Sequence, residues 1–126
     1  GRQLLTSSKD NSPRLWDMRM LRPLQRFKGH QNTSKNFIRC TFAHPSLIVS
    51  GSEDGLVYMW GQESSLALQT LKGHGTDSHP AAATVGGRKQ VVVYSAAWNK
   101  VQGLLASCAD DGTVRLWDWT QPHDAP

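Results

Sequence analysis

Cysteine is scarce in this chain. Cys40 and Cys108 are the only two in 126 residues, too few for a disulfide framework, so an intracellular, reducing compartment (cytoplasmic or nuclear) is expected. Long apolar runs are missing too. The longest, Val91 to Trp98, falls far short of the roughly 18 residues that a membrane span needs, so no membrane partner is expected. The signatures of several chemistries are also lacking. There is no His-Glu-x-x-His, no Cys-x-x-Cys and no phosphate loop ending Gly-Lys-Ser/Thr, and with them go the usual grounds for expecting a metal or cofactor. Gly86-Gly87-Arg88-Lys89 lacks the flanking strand and helix that would make it a phosphate cradle. Acidic residues are few at the start. Residues 1–40 hold nine Lys/Arg against two Asp, a balance of +7, whereas residues 41–126 hold five against eight, a balance of −3.

What is present speaks for a folded chain. Apolar residues reach 38%, and five tryptophans are included, a composition unlike that of disordered segments. Three stretches align with one another. Thr6 and Asp10 lead to Trp16-Asp17; Ser50 and Asp54 lead to Trp60-Gly61; Ser107 and Asp111 lead to Trp117-Asp118. In each, the Asp stands six residues before the Trp and four after a Ser or Thr. The pairs Gly29-His30 and Gly73-His74 precede the second and third stretches. The Asp-to-Asp intervals are 44 and 57 residues. With an insertion of about 14 residues between His74 and Val91, both fall near the 40–45 residues of a WD repeat.

On these recurring Gly-His, Ser/Thr, Asp and Trp-Asp positions the chain resembles the WD-repeat β-propeller family over nearly its whole length. The resemblance implies an all-β fold, a partial propeller of four-stranded antiparallel blades with about three repeats. Residues 1–28 would end one blade, 29–72 would form a complete blade, and 73–120 a blade with an insertion near 75–90 and no outer strand, leaving a tail at 121–126. In the middle unit, β-rich segments bounded by turn residues predict strands near 36–42, 47–52, 55–60 and 66–71. Asp54-Gly55 and Asp111-Gly112 supply tight turns. Pro13 falls near the start of a central strand, where the first residue tolerates a missing N–H, so it is read as a local weakening. The unperiodic insertion reads as a surface loop. Gly1-Arg2-Gln3 looks like a cut in a longer chain, and fewer than three blades on their own are expected to expose apolar faces and self-associate.

The resemblance also implies a buried tetrad in each blade: His30, Ser50, Asp54 and Trp60; His74, Ser107, Asp111 and Trp117; and a partial set, Thr6, Asp10 and Trp16. The chemistry suits the residue types. An indole N–H only donates, hydroxyl and neutral imidazole both donate and accept, and a carboxylate accepts. The same Ser, His and Asp also raise the possibility of a hydrolase. A triad, however, is defined by geometry around an exposed nucleophile, and no Gly-x-Ser-x-Gly elbow occurs. The repetition of the set with a Trp marks it as architecture, and no enzyme is expected.

Three functions follow as expectations. The first is a non-enzymatic protein–protein interaction scaffold, with Gln31, Asn32, Ser34, Lys35, Glu53 and Asp110 as candidate loop contacts. The second is a substrate receptor of a cullin–RING ubiquitin ligase: the box ending Trp16-Asp17-Met18-Arg19 resembles that of such receptors, in which Asp17 and Arg19 would contact the adaptor. The third is a basic surface formed by Arg14, Arg19, Arg22, Arg26, Lys28, Lys35 and Arg39 for nucleic acid or an acidic partner. The lack of interleaved aromatics or a recognised module argues against nucleic acid.

Overall fold

Alternation of side chains along short strands organises the chain into stacked sheets. The computed structural model describes residues 2–32, 36–43, 46–74, 84–85, 88–89 and 91–118. Among them there is no helix, and so none that could cross a membrane.

The first sheet contains β1 (Gln3–Thr6), β2 (Arg14–Asp17) and β3 (Arg22–Arg26) in that order. The second contains β4 (Cys40–Ala43), β5 (Leu47–Ser50), β6 (Leu56–Gly61) and β7 (Gln69–Lys72). Among the described residues, strands β8 (Thr84–Val85) and β9 (Arg88–Lys89) pair only with each other. The last large sheet contains β10 (Val93–Asn99), β11 (Leu104–Ala109) and β12 (Val114–Asp118). Every pairing is antiparallel and joins strands adjacent in the chain. These are the meanders of propeller blades.

The period of two decides which neighbour each residue meets. On β5 and β6, Ile48 and Trp60 turn toward the first sheet and pack with Leu15 and Phe27. Val49, Val57 and Met59 turn the other way and pack with Val93, Ala96 and Leu105 of the last sheet. The middle sheet is therefore apolar on both faces, and shifting one of its strands by a single residue would exchange its two sets of partners. The Trp-bearing face of each sheet looks back along the chain. The forward face of the last sheet carries Val114 and Leu116, each 68% exposed.

Tight turns recur where Asp is followed by a residue with positive φ. Gly55 (φ 87°) and Gly112 (φ 82°) occupy the position in the second and third units, and Asn11 (φ 69°) does so in the first. Asparagine is among the few side chains that adopt this conformation at modest cost.

Two expectations are corrected. The strand expected over 36–42 begins only at Cys40. Before it, Arg39 N–H donates to Tyr94 O in the last sheet at 2.8 Å, and Ile38 O accepts from Ser7 Oγ, just after β1, at 2.8 Å. These cross-sheet bonds engage backbone groups that a longer β4 would use. The insertion is also not wholly irregular, since it contains the β8–β9 ribbon, with Val85 opposite Arg88. The turn His44-Pro45 and most of 75–90 lie outside the described residues, as does the tail. Pro13 is buried immediately before β2, where its carbonyl accepts from Phe27 N–H at 2.9 Å.

Candidate functional site

The repeated polar residues lie where the loop entering each blade meets its tight turn. In the last blade they form a continuous chain. Trp117 Nε1–H donates to Ser107 Oγ at 2.9 Å. Ser107 Oγ lies 2.7 Å from His74 Nε2. Nδ1 faces Asp111 Oδ2 at 3.4 Å and Thr113 Oγ1 at 3.1 Å, and because a carboxylate only accepts, the proton of neutral His74 belongs on Nδ1. Nε2 then accepts the Ser107 proton while Ser107 Oγ accepts from the indole. Thr113 Oγ1 in turn donates to Asp111 Oδ1 at 2.6 Å. His74, Ser107 and Asp111 are all buried, and the Ser107 hydroxyl, bonded on both sides, is not presented to a substrate.

The middle set departs from this pattern. Trp60 Nε1–H donates to Lys28 O at 2.9 Å, and Ser50 Oγ donates to Gly51 O at 2.9 Å. Neither nitrogen of buried His30 has a hydrogen-bond partner, and burial pushes its pKa below the usual value. Its ring instead stands edge-on to Trp60 at a centroid distance of 5.6 Å and an interplanar angle of 89°. Tyr58 is the reason. It stacks on Trp60 at 5.9 Å and its hydroxyl donates to Asp54 Oδ2 at 2.6 Å, engaging the carboxylate that His30 would otherwise face. Burial, followed by the Asp54 contact, raises the Tyr58 pKa well above the usual tyrosine value. Ser52 links the entry loop to the turn here, accepting from Gln31 N–H at 2.9 Å and more loosely from Asp54 N–H at 3.4 Å.

In the first set, Trp16 Nε1–H donates to Thr6 Oγ1 at 2.8 Å, and Arg14 pairs with Asp10 at 2.9 Å. The Arg14 guanidinium holds the Asp10 carboxyl below its usual pKa. Arg14 and Tyr58 occupy the same position, two residues before the Trp. Sequence reasoning overlooked this position, together with Ser52 and Thr113. The signal was a long polar side chain on the Trp face, four residues after the Asp.

Of the candidate loop contacts, Gln31 and Asp110 are exposed. Asp110 Oδ1 also accepts from Val92 N–H at 2.8 Å. Asn32 and Glu53 are buried instead, at 2% and 4% exposure. Asn32 spans two blades, accepting nothing at Oδ1 but donating through its side chain to Ser8 O at 3.0 Å. Glu53 Oε2 accepts from Asn36 at 3.1 Å. Both are removed from solvent because they join loops together. Ser34 and Lys35 lie outside the described residues. Asp17 and Arg19 share the β2–β3 turn, where Asp17 Oδ1 accepts from Arg19 N–H at 2.8 Å and Met20 N–H at 3.2 Å while Arg19 is exposed. Cys40 and Cys108 are free thiols, and among the described residues no group of three or more His, Cys, Asp or Glu is placed to hold a metal ion. Burial lifts Cys40 to a pKa of about 11, which leaves it a poor nucleophile.

Antiparallel meanders stacked face to face, each with a Trp bonded behind a tight Asp turn, define a segment of a β-propeller. The family model described as "WD domain, G-beta repeat" matches residues 21–61 and 81–118, more than half of the chain, and the chain belongs to that family. It is 35% identical over 114 residues to the WD repeat-containing protein WDS homolog of Arabidopsis thaliana, covering 86% of this chain and 18% of that protein. It is 30% identical over 122 residues to the WD repeat domain-containing protein 83 homolog of Dictyostelium discoideum, covering 93% and 31%. The Denticleless protein homolog of Gallus gallus is 31% identical over 121 residues, covering 93% and 15%. The chain thus spans less than a third of the length of these relatives.

The contrast between blades predicts unequal costs for removing their serines. Ser107→Ala leaves both the Trp117 indole and His74 without their partner, at about 1–3 kcal/mol for each buried group stranded. Ser50→Ala removes one bond to a neighbouring carbonyl, about 1 kcal/mol. Urea midpoints of the two variants, in the protein expressed from its complete reading frame, should separate clearly. Equal losses would show that the last blade's hydrogen-bonded chain contributes nothing beyond the middle blade's looser one.

Proposed function

We propose that this segment belongs to a protein–protein interaction scaffold and carries no catalysis of its own. The observation that carries the reading is the use of the Ser-His-Asp residues. In the last blade they are buried and saturated by one another, so they anchor loops rather than attack substrates. What remains exposed is the loop surface, including Gln31, Arg19 and Asp110. Membership of the WD-repeat family supports the reading, and the two free thiols support a cytoplasmic or nuclear location. Affinity purification of the protein from its complete reading frame, followed by mass spectrometry, tests it. Stoichiometric partners are expected, and their consistent absence overturns the proposal.

A second reading, a cullin–RING receptor, draws support from the placement of Asp17 and Arg19 on one exposed turn. There Asp17 shapes the turn and Arg19 is presented for contact. If the reading holds, Arg19→Ala abolishes co-purification of the ligase adaptor; adaptor binding that survives the substitution removes it. The basic-surface reading is weakened by internal use of its arginines. Arg14 pairs with Asp10, and Arg26 Nε donates to Ser12 Oγ at 2.8 Å.

A further inference from the structure

A cavity of about 860 Å³ opens between the first two blades. One wall is the turn Ser7 to Lys9, and the other is the segment from Asn36 to Cys40, with Leu5 and Asn32 also in the lining. The walls are fastened together. Ser7 Oγ donates to Ile38 O at 2.8 Å, Asn32 Nδ2 donates to Ser8 O at 3.0 Å, and Asn32 N–H donates to Asn11 Oδ1 at 2.6 Å. The site is therefore preformed, and its size lies within the range of ligand pockets, roughly 300–1,000 Å³.

Two features of the lining describe what would fill it. Lys9 and Arg39 both line the cavity, and no carboxylate among the described residues does. Phe37 is 81% exposed, a large apolar ring in the lining, and Lys9 Nζ stands 4.4 Å from its centroid. An anionic group answers the cations, and an apolar side chain answers Phe37. A peptide carries both within two or three residues. From this geometry we infer that the cavity takes an acidic peptide segment of a partner protein, with a carboxylate between Lys9 and Arg39 and an apolar side chain on Phe37. The inference deepens the scaffold reading and rests on it.

The test uses the protein from its complete reading frame and a short fluorescent peptide rich in glutamate and leucine. Its counterpart with glutamine for glutamate and a single-stranded RNA oligonucleotide serve as comparisons. Anisotropy should show the acidic peptide bound, with affinity falling as salt rises, and the glutamine peptide unbound. Lys9→Glu with Arg39→Glu should weaken binding by at least about tenfold, because like charges then face each other. Phe37→Ala should weaken it by roughly threefold. Lys100→Glu, in the exposed β10–β11 turn, should leave it unchanged.

No binding, equal binding of the glutamine peptide, or indifference to the Lys9 and Arg39 reversals overturns the inference. So does RNA that binds and displaces the peptide, because a general polyanion surface would then explain the charge. The same variants carried through affinity purification separate the two proposals. Partners retained by wild type and double variant alike leave the scaffold standing and remove the pocket. No partners with either protein removes the scaffold itself, whereas partners lost only with the double variant support both.

Discussion

Trp60→Ala is expected to destabilise the protein by about 3–5 kcal/mol, the range for deleting a fully buried large aromatic side chain. Trp60 has no exposed surface and sits in the cluster of Leu15, Phe27 and Ile48 that joins the first two blades. Its ring lies 5.6 Å from Phe27 and 5.9 Å from Tyr58, and His30 stands edge-on to it. Removing the indole therefore opens a cavity at a blade junction and takes away one wall of a histidine that has no hydrogen bond to hold it. Trp60→Phe separates the contributions. It keeps most of the apolar filling and removes only the donor to Lys28 O, at about 1 kcal/mol. Denaturant midpoints of both variants in the protein from its complete reading frame provide the measurement. A loss below about 1 kcal/mol for Trp60→Ala would mean that the junction is not packed around this ring.

The propeller blades were legible because their punctuation is chemical. Asp-Gly turns, Gly-His pairs and a Trp at a fixed distance from an Asp each need a particular residue type, so their spacing survives in a single sequence. The last blade's polar set was expected from the family resemblance, and its residue types, an obligate donor, two amphoteric groups and an acceptor, have few ways to connect. The middle blade's set, expected on the same ground, connects differently. Tyr58 has the right polarity and reach to engage Asp54, yet in a strand pattern it reads as an ordinary β-favouring residue. Alternation puts Tyr58 on the Trp60 face, but whether its hydroxyl reaches the Asp54 carboxylate depends on how the Asp54-Gly55 turn folds back, which the strand pattern does not show. Asn32 and Glu53 were misplaced for a related reason. Loop residues default to solvent, and nothing local to either position reveals that the first blade's turn reaches Asn32, or that Asn36 reaches back to Glu53.

The cavity beside Phe37 was hidden in the same way. Ser7, Lys9, Asn32 and Arg39 come from two separate segments of the chain, and their convergence follows from blade packing rather than sequence proximity. In this fold the repeat pattern specifies the frame. Surface chemistry arises where successive frames meet.

That junction also sets the other large effect, at Gly51. A Cβ added there would collide with the carbonyl oxygen of Val93 and lie 2.7 Å from the carbonyl carbon. Both sides of the contact are held in place. Val93 is fully buried, and its N–H donates to Ser52 O at 2.8 Å, binding β10 to the turn that follows Gly51. No rotamer can relieve a clash with backbone, so Gly51→Ala must push the middle and last blades apart, at a cost of about 3 kcal/mol, the upper end for overpacking. Gly61→Ala is the matched control. Its Cβ would meet only Leu68 Cδ1, at 3.3 Å, the end of an exposed side chain that can turn aside, and a change within about 0.5 kcal/mol is expected. Thermal melts should therefore rank the two substitutions far apart although the chemical change is the same methyl group. Limited proteolysis should show new cleavage near Val91–Val93 in Gly51→Ala alone. Similar melts for both variants would require the blades to sit farther apart at this point than the Gly51–Val93 approach places them, and the hydrogen bond from Val93 to Ser52 would fall with it.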